Sequence, residues 1–400
     1  MPEQTVLRPP GQPGAWRDVT EDADDANDRD DEFRGALNRA LGRPTEGGDV
    51  RTVWRALGQH GVLRGLYRDT DSGGATADPV RLGALLHAMD ERGDNGATLT
   101  VLVQAASALP LLSTGTTETC RALRERALDG RATVALAATD SAAPGSELTA
   151  LGTEVRWDER TLHLNGGKRW VSGAGSADHL MVLARHRPGR HFTSFTWVLV
   201  PVTAPGVRIE PADTGGLLAS AALGHVHLDD VRLDVDHLVG RPGRAMASFA
   251  QHMATERLAG AQWAVALLRR ALTATHRHLT ARPAGEGTLW HNAAIRQDFA
   301  ACLVRTEQLR ALVEAAVRTS NGRPDMNGTA LLKAAVGQTA DDVLSRCAQL
   351  QGADGMTAGG AHHVRAEAAV LGLGGGATEL MLAHVADAAD ILLDTSRPVP

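Results

Sequence analysis

The stretch LNGGKRWVSGAGSADHLMVLAR, Leu164–Arg185, marks a change of texture in this chain. It reads as a strand, a turn region rich in glycine and serine, and a second strand, with Trp170 near the end of the first. Working outward, the runs TEVRW, TLHLNG, FTWVLVPV and GHVHLDDVRL are equally short and alternating, and Asp, Gly and Pro turns separate them. Residues 132–242 are therefore expected to form a small antiparallel β domain. On both sides the period changes to three and four. VWRALGQHGVLRGL, PVRLGALLHAMDERG and TETCRALRERALDG predict a helical domain over 33–131. SFAQHMATERLAGAQWAVALLRRALTATHRHL and two later Ala- and Leu-rich segments, broken near Pro283 and Pro324, predict a four-helix bundle over 243–400. The fold class is α+β and multidomain.

At 400 residues and 43% hydrophobic content the chain is large enough for two or three packed units. A net charge of -6 gives no blanket attraction for nucleic acid or an anionic membrane. Many of the acids lie in DVTEDADDANDRDDE, Asp18–Glu32, so residues 1–32 are expected to be a disordered acidic tail. Cys120, Cys302 and Cys347 lack a C-x-x-C spacing, which argues for a reducing compartment and against zinc. No apolar stretch is expected to reach the length that spans a bilayer, and the first residues carry no signal-like apolar core. A cytoplasmic location follows as an expectation. His225 and His227 share a strand face without a third ligand, so no metal is expected. Glu307 and Arg310 read as a helix-surface pair.

A second glycine-rich stretch, LGLGGGATELM at Leu371–Met381, fits the loose pattern G-x-G-x-x-A of dinucleotide sites. Its setting does not: RAEAAV, a helix former, precedes it, and no βαβ unit follows.

The order helical domain, β domain, helical bundle resembles that of acyl-CoA dehydrogenases, and local motifs from about Val53 onward strengthen the likeness. WRALGQHGVLRGL is similar to the family's W-x-x-L-x-x-x-G-L segment, and ATDSAAPGSE to its T-E-x-x-x-G-S-D loop, with Asp140 for Glu and one extra residue. LNGGKRWVSGAGSADHLMVLAR resembles N-G-x-K-x-W-I-(T/S)-x-x-x-x-A-D. DDVRLDVDHLVGRPG and ATERLAGAQWAVAL look like the strand exit and first bundle helix. QLQGADGM resembles Q-x-x-G-G-x-G with Ala353 for glycine, and GGGATEL falls on the loop before the last helix.

The resemblance implies FAD. Trp170 would stack on the isoalloxazine, Ser172 would bond near its N5, and Thr139 and Ser146 would lie along the flavin. Thr378 and Glu379 would sit beside it at the start of the last helix. Arg282, Gln349, Gly352 and Gly355 would hold the pyrophosphate and adenosine of a neighbouring subunit's FAD, which implies a homodimer or homotetramer. The family's Phe-Gly after that arginine is absent from RPAGEGTLW.

In most members the base that takes the α-proton is a glutamate of an E-G-T loop. Here Gly375 stands in that place, with Gly376 beside it at the substrate. A branch that includes isovaleryl-CoA dehydrogenase instead keeps its glutamate before the arginine of the first bundle helix, which in this chain is Glu256, followed by Arg257. The periodicity agrees. Phe249, Met253, Glu256, Gly260, Trp263 and Leu267 form a largely apolar stripe, where a carboxylate is either paired or functional. Three activities remain open: oxidation of a CoA- or carrier-bound acyl thioester, a flavin monooxygenase or N-hydroxylase of specialised metabolism, and a non-catalytic partner subunit.

Overall fold

Capping side chains start the helices of the first unit where the sequence supplies an aspartate before an apolar run. In the computed structural model, which describes residues 19–42, 49–70, 74–320 and 325–394, Asp78 accepts from the backbone N–H groups of Val80 and Arg81. Asp94 does the same for Ala97. The unit contains α1 (Val19–Leu41), α2 (Val50–Gln59), α3 (Val62–Gly65), the hairpin β1 (Tyr67–Thr70) and β2 (Gly74–Ala77), and α4 (Pro79–Asp90). It continues with α5 (Asn95–Val103), α6 (Leu109–Ser113) and α7 (Glu118–Leu128). A π-helical turn, Gln104–Ala108, joins α5 to α6.

The expected tail is corrected in part: α1 takes up residues 19–32, and residues 1–18 lie outside the described residues. The helix is held at its far end, where Phe33 and Leu37 are buried and Asp30 pairs with Arg81 at 2.9 Å.

The central sheet has eight strands: β3 (Val134–Ala137), β4 (Glu154–Trp157), β5 (Thr161–Val171), β6 (His179–Arg185), β7 (Phe195–Pro201), β8 (Val207–Pro211), β9 (Gly224–Asp234) and β10 (Leu238–Val239). The order is β10-β7-β6-β4-β5-β9-β8, with β3 on β6. It is not purely antiparallel: β3 runs parallel to β6, and Glu154 bridges Arg185 in parallel. Strand β6 is apolar on both faces because both are covered. Leu180, Val182 and Ala184 belong to the sheet's own core, whereas Met181 and Leu183 belong to the core shared with the helices.

The bundle comprises α8 (Ala245–Ala281), the hairpin β11 (Pro283–Ala284) and β12 (Gly287–Thr288), α9 (Ala293–Thr319) and α10 (Met326–Gln351). Its fourth layer is broken into α11 (Ala361–Ala368), α12 (Val370–Leu373), α13 (Thr378–Asp387) and α14 (Ala389–Leu392). Two helical runs, Asn95–Ser113 and Ala361–Asp387, are long and apolar enough by composition to cross a bilayer, which corrects the sequence expectation. The first is the buried core of the helical unit, and the second is interrupted by the loop before α13.

One polar network ties the units together. Asp90 receives both Nε and Nη2 of Arg270 at 2.9 and 3.0 Å, and also Trp263 Nε1. Arg270 also donates to Asn95, and Asn95 donates to Glu367, which accepts the Leu218 N–H as well. Every buried charge in it has a partner, which ties α4, α5, α8 and α11 to the Leu218 turn between β8 and β9.

Candidate active site

Glu256 sits on α8 facing the π-turn of the neighbouring helix. A π-turn admits one extra residue per turn and so presents a side chain that regular helix geometry would turn away. Here that side chain is Ser107, whose hydroxyl donates to Glu256 Oε2 in a short hydrogen bond. Burial pushes the Glu256 carboxyl above the ordinary glutamate range, and the Ser107 hydroxyl, Arg257 and Lys333 pull it partly back. A carboxylate in this balance can take a proton near neutral pH.

The loop that closes on Glu256 is the glycine stretch Leu371–Met381, which lies between α12 and α13 with no strand before it. Gly375 has φ +72, and a Cβ built there would lie 3.7 Å from Glu256 Oε1. The two alternative base positions, far apart in sequence, thus address one point in space. Arg257 is buried and donates from Nε to the Gly375 carbonyl at 3.0 Å, so it anchors the loop. Gly376 takes φ +112, a backbone conformation that strains any residue but glycine.

Lys333 completes this cluster and was not singled out from the sequence. It is 5% exposed, donates from Nζ to the Leu371 carbonyl, and its Cε lies 3.7 Å from the Cβ position of Gly375. Burial first and Arg257 second bring its ammonium down to about 8, with Glu256 and Glu379 acting the other way. Ser107 was missed too. A signal existed for each: Lys333 is one of two lysines in the chain, and Ser107 is a hydroxyl inside the apolar run VLVQAASALPLL.

The predicted flavin residues gather at the end of β5. Pairing of β5 with β9 slips between Lys168 and Val171, and Trp170 takes φ +56, rare for a bulky residue. The indole is 56% exposed, so it is not core; His225 sits edge-on to it at 5.0 Å. Thr139 meets this bulge through its carbonyl, which accepts from Arg169 N–H at 3.0 Å. Ser146 is exposed on the loop that follows Thr139, and Ser172 lines a small cavity with Thr100 and Gln104. A strained, outward aromatic face beside hydroxyls fits a flat, polar-edged ring.

Beneath the bulge lies the second lysine. Lys168 is fully buried and pairs with Asp140 at 3.2 Å. Asp140 also accepts from the backbone of Ala142, Gly152 and Thr153 and from the Thr153 hydroxyl, so the aspartate that departs from the family motif is fully engaged.

Arg282 and the Gly352–Met356 turn are brought together at the far end of the bundle, where Arg282 pairs with Asp354 at 3.5 Å. Gln349 is exposed, Gly352 has φ +55, and Gly355 is buried. Thr378 donates to the Gly372 carbonyl at 3.2 Å and, with Glu379, lines a surface groove with Gly337 and Arg365. His227 pairs with Glu210 at 3.1 Å, and Arg310 with Glu307 and Glu314 on the helix surface.

The middle domain model of acyl-CoA dehydrogenases matches residues 135–231, and the C-terminal domain model matches residues 244–389. The chain belongs to the acyl-CoA dehydrogenase family. With that membership it is an oxidoreductase. An acyl-[acyl-carrier-protein] dehydrogenase MbtN from Mycobacterium sp. (strain MCS) is 28% identical over 309 residues, covering 76% of this chain and 77% of that one. Among solved structures, a glutaryl-CoA dehydrogenase from Mycobacterium smegmatis in complex with FADH2 superposes with a TM-score of 0.79 at 19% identity, covering 93% of this chain and 95% of that one. The prolyl acyl carrier protein oxidase AnaB gives 0.78 at 18%, covering 93% and 99%. These likenesses carry the fold of this family member.

Proposed function

We propose that the protein binds FAD and oxidises an acyl thioester, carried on CoA or on a carrier protein, to its α,β-unsaturated form. The observation that carries this is the meeting of Glu256 and Gly375: a partly buried carboxylate stands where the E-G-T glutamate of other members would reach. Glu256 takes the α-proton, and its raised pKa matches that task. Ser107 holds the carboxylate in place, while Arg257 and Lys333 hold the loop carbonyls of Gly375 and Leu371 and balance the charge. Bound FAD supplies the acceptor for the hydride that leaves the β-carbon. Trp170 offers the stacking face and Thr139, Ser146 and Ser172 the polar edge. Arg282 with Gln349, Gly352 and Gly355 is fitted to the adenosine end from a neighbouring subunit. A homo-oligomer is supported by the apolar side chains Leu373, Leu380, Leu382, Ile391 and Leu393 left exposed on the last helices.

The test is anaerobic mixing of the FAD-loaded protein with a panel of acyl thioesters. Bleaching of the flavin by a thioester, lost in Glu256→Gln with FAD retained, is the expected result. Full bleaching in that variant removes the base assignment, and consumption of reduced flavin with oxygen without bleaching by any thioester favours a monooxygenase.

A further inference from the structure

We propose that the acyl group reaches Glu256 on the phosphopantetheine arm of a separate acidic carrier-protein domain, which docks on an arginine-rich surface at the start of α8; this deepens, and rests on, the thioester reading above. Two segments build that surface. The connection from β6 to β7 carries Arg187 and Arg190, and the entry into α8 carries Arg241 and Arg244; all four are exposed. They adjoin each other, since Gly243 N–H donates to the Phe195 carbonyl at 3.0 Å and Trp197 Nε1 donates to the Ala245 carbonyl at 3.3 Å.

None of the four arginines forms an ion pair or a side-chain hydrogen bond among the described residues. Neither segment, 186–194 or 240–244, contains a carboxylate. In a chain of net charge -6 this is a local reversal of sign. Phe192, in the same connection, is 55% exposed, and Trp157, just before the exposed acids Asp158 and Glu159, is 36% exposed with its ring 5.5 Å from that of His186. Exposed aromatics set among unpaired arginines are the composition of a protein-binding surface, with the arginines steering an acidic partner. A free nucleotide carrier would use the charges and leave Phe192 without a task.

The path inward is α8 itself. Arg244 precedes Glu256 by twelve positions, about 18 Å of helix, a span that an extended phosphopantetheine arm can cover. One turn before Glu256, on the same side of the helix, lies His252, 7% exposed. Its ring nitrogens offer hydrogen bonds to the amides of an arm that follows this side of the helix.

The test uses the FAD-loaded protein and the charge-reversed variant Arg187→Glu/Arg190→Glu/Arg241→Glu. Binding is measured by fluorescence anisotropy against a panel of acidic holo-carrier proteins. Anaerobic flavin reduction is measured with butyrate on the carriers, on CoA and on pantetheine. We expect at least one holo-carrier to bind, with an affinity that falls steeply with salt and drops at least tenfold on charge reversal. The ratio of carrier to pantetheine reduction rates should drop as far, and Phe192→Ala should weaken binding without altering the salt dependence. His252→Leu should slow carrier and pantetheine thioesters alike. The proposal is overturned if no carrier binds, if reversal leaves carrier binding unchanged, or if it weakens CoA and carrier thioesters equally, which would assign the arginines to CoA phosphates. Carrier binding that is charge-sensitive, with no thioester reducing the flavin, would leave the docking surface in place and remove the dehydrogenase reading alone.

Discussion

A Cβ on Gly375 would point at Glu256 from 3.7 Å, although 119 positions separate the two in the chain. The relationship predicts that the base can be moved. Glu256→Gln should lower the rate of flavin reduction by about 10²–10⁴-fold, the usual worth of a positioned base. Glu256→Gly combined with Gly375→Glu should recover part of it, held back by the left-handed backbone at Gly375, which costs a non-glycine residue about 1 kcal/mol. Stopped-flow bleaching of the two variants decides the point. No recovery, with FAD content and circular dichroism preserved, would mean that the two positions are not equivalent.

The base works only when deprotonated, so flavin reduction should be present above the raised pKa of Glu256 and fade as pH falls through it. Ser107→Ala removes a hydrogen bond to the charged form. The midpoint of that limb should move to higher pH by about one unit, with the plateau rate at high pH largely kept. A plateau loss with an unmoved midpoint would make Ser107 a packing residue only.

Lys333→Met removes a positive charge from beside Glu256 together with the anchor of the Leu371 carbonyl. The limb should again move upward in pH, and the loop 374–377 should gain amide hydrogen exchange. Exchange increased without a shift in midpoint would confine Lys333 to holding the loop.

One substitution separates stacking by Trp170 from packing in the core. Trp170→Gly relieves a positive φ and removes an exposed ring, so the flavin-free protein should keep or raise its Tm, gaining about 1 kcal/mol at most. FAD affinity should fall at least tenfold by fluorescence titration. Loss of Tm with FAD affinity intact would contradict the stacking role.

The Asp140–Lys168 pair sets acid stability. Desolvation opposes ionisation of Asp140, but Lys168, Thr153 and backbone donors outweigh it and hold its pKa at about 2. Because the folded value lies below the unfolded 3.8, the contribution is present above pH 4 and lost as pH falls from 4 to 2, about 2 kcal/mol in all. Asp140→Asn should lower stability at pH 7 by about 3 kcal/mol, since it leaves Lys168 buried and unpaired. Urea titrations at pH 7 and pH 3 check both statements; an equal loss at the two pH values would contradict them.

The order of units is legible in the residues alone, because the periods of two and of three to four are local properties of neighbouring positions. The residues alone also show that Glu256 falls on an apolar stripe and that Gly375 lacks a carboxylate. That these two facts concern one point in space emerges only once the chain is folded. Ser107 reaches Glu256 through a π-turn that no spacing rule marks, and Lys333 comes beside it from a third helix; the sequence shows an unusual residue at each position but not that both meet Glu256. Trp170 reads as an ordinary strand residue until a slip in register against β9 turns it outward. Two sheet faces covered at once, and strands paired in parallel across long connections, depend on partners distant in the chain. Burial then sets the pKa of Glu256, and burial belongs to the assembled protein rather than to any segment of it.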